Sequence, residues 1–342
     1  MYNVAVVGAT GAVGREMMKV LKDLNFPIKN LLPLASERSA GSYIDTPFGK
    51  LKVEELSADK FKGIDVALFS AGGSISQEFA PYAVEAGCVV IDNSSAFRMD
   101  PNVPLVVPEV NPEDVKKHKG IIANPNCSTI IMVVPLAPIH REYGIKRIVV
   151  STYQAVSGAG QYAMEALTKE SLSAINGEEV VPYALPMKSG AIHHQIAFNV
   201  IPHVDVVMED GFTKEEHKMI YETRKILGDE SVKVCATTVR VPVYRSHSES
   251  ISVELSKKAD LNDIRALLSN APGVSLKDDT KNFEYPMPIN VSGVDDVFVG
   301  RLRVDPSAEN SIAMWVAGDQ LRKGAATNAV QIAQVLYQDK RW

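Results

Sequence analysis

Cysteine is scarce: the chain has three, Cys88, Cys127 and Cys235, far apart among 342 residues. An odd number at such spacing builds neither a disulfide framework nor a zinc motif, so a reducing, cytoplasmic setting is expected. The seven histidines are scattered, and none stands from another His, Cys or carboxylate at a metal-ligand spacing; no metal site is expected. Long apolar runs are missing too. Nothing approaches the ~18–20 residues a membrane span needs, and the chain begins on the strand-like Tyr2-Asn3-Val4-Ala5-Val6-Val7, which leaves no room for a signal peptide. Basic runs are absent and the formal net charge is −5, which excludes a nucleic-acid footprint. What remains is an ordinary globular balance, 46% hydrophobic and 23% charged. It is enough for two domains at roughly 100–200 residues each.

The first third alternates short apolar runs with helical periodicity, the signature of βαβ units and a parallel sheet. Strands are expected at residues 4–7, 31–35, 66–70, 89–92 and 121–123, and helices at 13–24, 75–86 and 112–117. Beyond about Cys127 the pattern changes to longer strands, 147–156 and 250–256, mixed with helices at 161–176, 214–227 and 261–269. The fold class is therefore α/β, a Rossmann-type domain with a parallel sheet plus a second α+β domain. A last helix, 324–337, would present Ala325, Ala329, Ile332, Ala333 and Leu336 on one apolar face.

Four motifs carry chemistry. Gly8-Ala9-Thr10-Gly11-Ala12-Val13-Gly14 follows a strand and opens a helix. Glycines there allow a tight turn and let a pyrophosphate approach the backbone at the positive helix end; a plain glycine turn is the alternative. The second strand ends in Ser36-Glu37-Arg38-Ser39. Arg38 between Ser36 and Ser39 suits the 2′-phosphate of NADP, through a planar donor fork, whereas Glu37 would suit the ribose of NAD. Asn124-Pro125-Asn126-Cys127-Ser128-Thr129 leads into an apolar run, placing Cys127 where a helix begins and a thiolate is favoured. By spacing alone Cys127 reads equally as a small buried residue. Pro135 and Pro138 should kink or shorten this helix, so only its start is expected to hold. Cys88 and Cys235 read as core. Finally, Arg240-Val241-Pro242-Val243-Tyr244-Arg245-Ser246-His247 sets a guanidinium that can grip a carboxylate seven residues from an imidazole that can move a proton. Alone, such a histidine reads more readily as structural.

In order and spacing, GATGAVG at Gly8, NPNCST at Asn124, YQAVSGAG from Tyr153, RVPVYRSHSE from Arg240 and KGAATNAVQIA from Lys323 cover the chain end to end. Through them it resembles the aspartate-β-semialdehyde dehydrogenase family, bacterial branch. The resemblance implies reduction of L-aspartyl-4-phosphate by NADPH to L-aspartate 4-semialdehyde with release of phosphate, a step toward lysine (through diaminopimelate), methionine, threonine and isoleucine. It implies that Cys127 forms an acyl-thioester, Gln154 helps position substrate, Arg240 grips the α-carboxylate and His247 transfers protons. Arg98, Asn126 and Lys218 would hold the departing phosphate, and Glu215 would meet the α-ammonium. Thr10, Gly11, Ala12, Val13, Arg38, Ser39, Ser157, Gly158 and Gln320 would contact NADP, although the family often has Asn at this last position. It also implies a dinucleotide domain of residues 1–127 and 320–342. A catalytic and dimerisation domain, 128–319, would carry a mixed sheet and pair in a homodimer.

Rivals are weighed on residues. An N-acetylglutamyl-phosphate reductase-like enzyme would show Asn-Pro-Gly-Cys-Tyr where this chain has Asn-Pro-Asn-Cys-Ser. A glyceraldehyde-3-phosphate dehydrogenase would lack the Arg240–His247 segment. A catalytically silent dinucleotide-binding paralogue would be expected to lose Cys127 or His247, and both are present. Thr213-Lys214-Glu215-Glu216 fits a capping box, giving Glu216 a structural task and leaving Glu215 on the face of Lys218; the alternative, which the residues alone favour, is that Glu215 and Lys218 are solvated surface charges with Lys218 pairing Glu222.

Overall fold

The computed structural model describes residues 1–338. The chain divides into two compact units, Met1–Cys127 plus the segment from Leu321 on, and Ser128–Gln320.

In the first unit β1 (Tyr2–Val7) leads into α1 (Ala12–Asp23) and β2 (Ile28–Ala35). A small hairpin, β3 (Tyr43–Thr46) and β4 (Gly49–Lys52), was not expected from the sequence; its strands are short and mostly polar. Then come β5 (Glu54–Glu55), β6 (Val66–Phe69), α2 (Gly73–Glu85), β7 (Val89–Asp92) and β8 (Ile121–Ala123). The expected helix at Pro112–Lys117 is a 3-10 segment. Strand order is β5-β2-β1-β6-β7-β8, every pair parallel. That is the doubly wound arrangement, with its switch point between β1 and β6. Both faces of β1 are covered, which is why it reads as an unbroken apolar run. Val4 and Val6 pack with Met17 and Met18 of α1, while Ala5 and Val7 pack with Phe61, Ala80 and Ala83. Each fully buried valine contributes about 1.5–3 kcal/mol.

The second unit opens with α3 (Cys127–Tyr143), whose first residue closes the first unit. Pro135 and Pro138 lie inside this helix without ending it, contrary to the sequence expectation. Its other side chains from Ser128 to Ala137 are all buried, and that packing outweighs the roughly 3 kcal/mol an interior proline costs. There follow β9 (Ile145–Gln154), α4 (Gln161–Ile175), α5 (Lys214–Leu227), β10 (Lys233–Arg240), β11 (His247–Leu255), α6 (Leu261–Ser269), β12 (Val274–Leu276), α7 (Pro288–Val291), β13 (Val297–Val304) and β14 (Ser311–Gly318). They build a mixed sheet in the order β10-β9-β11-β14-β13-β12. Cys235 corrects a second expectation. It is exposed, because β10 is an edge strand and its alternate residues Ala236 and Thr238 take the buried face.

The chain then returns to the first unit through a π-turn, Arg322–Ala326, and α8 (Thr327–Gln338). The sequence read these as one helix from Gly324. Lys323, fully buried in that turn, donates from Nζ to Glu109 (2.5 Å), Gln331 (2.7 Å) and Asn328 (3.0 Å).

Candidate active site

In the first unit the site is made of backbone. Gly8 has φ +83°, and a Cβ there would stand 2.9 Å from the Ser70 carbonyl carbon just past β6. A Cβ on Gly14 would stand 2.3 Å from the Gly8 carbonyl oxygen, closer than any real contact. Only glycine therefore lets α1 start this tightly against the end of β1, at the switch point. Gly11 is the N-cap of α1 and no side chain caps the helix, so its leading N–H groups face outward. Thr10, Gly11, Ala12 and Val13 form this rim. Ser36, Arg38 and Ser39 sit on the exposed turn after β2, with Glu37 among them.

Around β7 the same unit fixes Arg98. Asp92 accepts from the Ser76 hydroxyl (2.7 Å) and from the amide and hydroxyl of Ser94 (3.0 and 2.7 Å), pinning the loop. Arg98, buried, donates from Nε to the Asn124 carbonyl and from Nη2 to the Asn93 carbonyl, both at 2.9 Å. Asn126 is buried beside Cys127 in sequence, and Cys127 is partly exposed at the first position of α3. An anion at that position meets the positive end of the helix. Cys88 is no competitor: burial, with Asp65 adding, pushes its thiol up to about 12.

In the second unit the site is made of side chains, and sheet register explains why they meet. β9 and β10 are parallel and pair Gln154 with Arg240 at their C-terminal ends. β11 runs antiparallel to β9, so its first residue, His247, lies at the same end and on the same face as Gln154. The result is a row, Arg240–Gln154–His247, all three buried. Between Arg240, which ends β10, and His247, which opens β11, the chain is a loop, with Ser246 at φ 76°.

Ala155, which the sequence reading missed, orients two members of the row. Its N–H donates to His247 Nδ1 (3.0 Å), and its carbonyl accepts from Arg240 Nη1 (2.7 Å). A backbone N–H can only donate, so Nδ1 is the acceptor and the neutral ring carries its proton on Nε2. Nε2 is buried and makes no hydrogen bond. Burial, reinforced by Arg240, lowers the His247 pKa to about 3, with Glu215 opposing. Ser157 and Gly158 follow directly. A Cβ on Gly158 would touch Arg240 Nη1 at 3.0 Å and His247 Cε1 at 3.2 Å, so glycine keeps this wall open. Gln320 joins them, accepting from the Ser246 N–H (2.7 Å) and donating to the Ser157 hydroxyl. It groups with the second unit rather than, as expected, with the first.

α5 brings the charges. The capping box forms: Thr213 N–H donates to Glu216 (2.7 Å) and Glu216 N–H to the Thr213 hydroxyl (3.3 Å), while Glu216 also accepts from the Thr238 amide (2.8 Å). Glu215, one step round, accepts from Gln154 Nε2 (3.1 Å) and from Lys218 Nζ (3.1 Å). Lys218 also pairs with Asp205 at 2.7 Å. Gln154 reaches the Ser128 hydroxyl of α3 at 2.9 Å. Period-two reading of the β9 and β11 motifs would have found these facing residues; nothing local marks Ala155, whose role is carried by its backbone.

Residues 3–118 match the semialdehyde dehydrogenase NAD binding domain, and residues 136–323 match the semialdehyde dehydrogenase dimerisation domain. The chain is thus a semialdehyde dehydrogenase in both domains, an oxidoreductase with a nucleotide-binding half. The aspartate-semialdehyde dehydrogenase of Aquifex aeolicus is 58% identical over 341 residues, covering 99% of this chain and 98% of that one. The Bacillus subtilis enzyme is 52% identical over 335 residues, 98% and 97% of the two chains. Aspartate semialdehyde dehydrogenase II of Vibrio cholerae, solved in complex with ASA, superposes with TM-score 0.93 at 45% identity over 99% of both chains. The chain belongs to the aspartate-semialdehyde dehydrogenase family, whose work is amino-acid biosynthesis.

Proposed function

We propose that the chain reduces L-aspartyl-4-phosphate to L-aspartate 4-semialdehyde and phosphate, with NADPH, through a thioester on Cys127. One observation carries this reading. Arg240 and Glu215 flank Gln154 on one buried face, a cation for a carboxylate and a carboxylate for an ammonium, matching the two charges of an α-amino acid.

The Cys127 thiolate attacks the acyl carbon; the carbon–sulfur bond forms and the carbon–oxygen bond to phosphate breaks. Arg98, Asn126 and Lys218 receive the phosphate, which shares Lys218 with Asp205. NADPH, when bound, supplies the hydride for the second half of the reaction. After reduction the oxygen again bears negative charge, the carbon–sulfur bond breaks, and the thiolate is regained with the aldehyde. In both halves the Nε2–H of His247 donates a hydrogen bond to that oxygen, the role of an oxyanion donor. The departing phosphate takes from solvent the one proton that the whole reaction consumes; with Nδ1 held by Ala155 and the cycle beginning and ending on thiolate, the proton transfer expected of His247 becomes hydrogen-bond donation.

The glycine-only approach of α1 to β1 fits a pyrophosphate. Thr10–Val13 would hold it, Ser36, Arg38 and Ser39 would take the 2′-phosphate, and Ser157, Gly158 and Gln320 would complete the NADP contacts. A homodimer is supported by the match to a dimerisation domain and by apolar Val149 and Tyr153, each 36% exposed on the outer face of the second sheet. The test is reduction of NADP+ by L-aspartate 4-semialdehyde, with and without phosphate and with NAD+ in its place. Reduction that requires phosphate and favours NADP+ is expected; phosphate-independent reduction would overturn the reading.

A further inference from the structure

Behind the row Arg240–Gln154–His247 lies a second one. The same registers pair Thr238 with Thr152 and Thr152 with Glu249, so Thr238–Thr152–Glu249 share the inner face one pleat deeper. Glu249 is 0% exposed, two residues past His247 on β11, and neither carboxyl oxygen makes a hydrogen bond among the described residues. The Thr152 hydroxyl opposite it is likewise unbonded. The reaction proposed above gives Glu249 no task.

The charged and titratable groups packed on this face can be named. On β11 there is His247, a neutral donor; on β10, Arg240; on α5, Glu215 and Glu216, with Lys218 on Glu215. The neighbours on β9 and β14, Thr152, Gln154, Val316 and Gly318, and Ser128 of α3, which meets Gln154, do not titrate. Glu216 is satisfied by two backbone N–H groups, and Glu215 by Gln154 and Lys218. Glu249 has neither kind of support. A buried carboxylate without a hydrogen bond or a counter-charge is too costly to persist, and beside a second carboxylate it is costlier still.

We propose that Glu249 is a positioning residue of this site, an un-ionised carboxylic acid that leaves the negative charge of the Glu215–Glu249 pair on Glu215, where a substrate ammonium can use it. Burial first, and Glu215 second, push its pKa well above the usual carboxylate range. The inference rests on the reading that Glu215 meets the ammonium.

The sign of its pH dependence follows. The folded-state pKa is raised above the unfolded one, so the stability that Glu249 contributes is full below the unfolded value and is lost as pH rises through the folded value. Glu249→Gln keeps the shape and cannot ionise. Its melting temperature should therefore gain on wild type progressively as pH rises above the ordinary carboxylate range. The Glu215→Gln protein, in which the like-charged neighbour is gone, should also lose less melting temperature than wild type as pH rises; this comparison stands even if Glu249→Gln does not fold. A pH-independent difference, or no effect of Glu215→Gln on the slope, overturns the proposal. Kinetics then locate the charge: Glu215→Gln should raise KM for aspartate semialdehyde at least about tenfold, and Glu249→Gln less than about threefold. The reverse ranking would place the working charge on Glu249. The melting series needs no substrate, so a protein that does not use aspartate semialdehyde would sink the proposed function without touching this test.

Discussion

At the end of β1 the first unit offers an anion a bare helix terminus. There the glycines matter because nothing else fits: the hypothetical Cβ of Gly14 falls 2.3 Å from a carbonyl oxygen. At the end of β9, β10 and β11 the second unit offers buried side chains tied to one another, with Gln154 bonded to Ser128 and Glu215, and Arg240 and His247 both held by Ala155. A backbone-built site tolerates most side-chain changes and fails when a Cβ is added. A network fails when any geometry in it changes, even if charge is kept.

That difference predicts opposite mutational behaviour, beginning with the network. Arg240→Lys keeps the cation but loses the fork that can hold a carboxylate and the Ala155 carbonyl together. Breaking a buried charged contact costs about 2–5 kcal/mol, so kcat/KM should fall on the order of a hundredfold with NADP affinity unchanged. Near-normal kinetics would remove Arg240 from the substrate site.

Gly14→Ala should do the converse. Forcing one methyl against the Gly8 carbonyl costs about 1–3 kcal/mol, which should weaken NADP and NAD alike by about tenfold or more in titrations. Arg38→Ala sharpens the point, since only NADP carries the extra phosphate. Losing one charge-assisted contact, about 1.5–3 kcal/mol, should weaken NADP on the order of ten- to a hundredfold and barely change NAD. Equal losses for both cofactors would refute the 2′-phosphate role.

The smallest effect separates two neighbours on α5. Glu216→Ala removes the capping box and the bond to Thr238, so it should cost about 0.5–2 kcal/mol of stability with modest kinetic effect. Glu215→Ala should impair use of aspartate semialdehyde while leaving the melting temperature closer to wild type than Glu216→Ala does at acid pH. Exchanged phenotypes would contradict the assignment on this helix.

The same contrast explains what could be read before the structure. β1, α1 and the turn at Gly8 were legible because a backbone-built site writes its requirement locally, as glycines between an apolar run and a helix. The capping box at Thr213 was legible for the same reason, and α5 has the expected bounds, Lys214–Leu227. Cys235 was misread because its valine neighbours look like core, and only the position of β10 at the sheet edge decides otherwise. The continuity of α3 through two prolines was hidden because tertiary burial sets it. Ala155 and Glu249 could not be recognised from motif chemistry, since one acts through its backbone and the other through a register between strands about a hundred residues apart in sequence.

The account turns on a covalent bond at Cys127. Intact-protein and peptide mass spectrometry, after incubation with L-aspartate 4-semialdehyde and NADP+ without phosphate, would read it directly. The predicted result is a single aspartyl adduct on Cys127 that phosphate discharges and that the Cys127→Ala protein does not form. An adduct on Cys235 or Cys88, or turnover by Cys127→Ala, would contradict it.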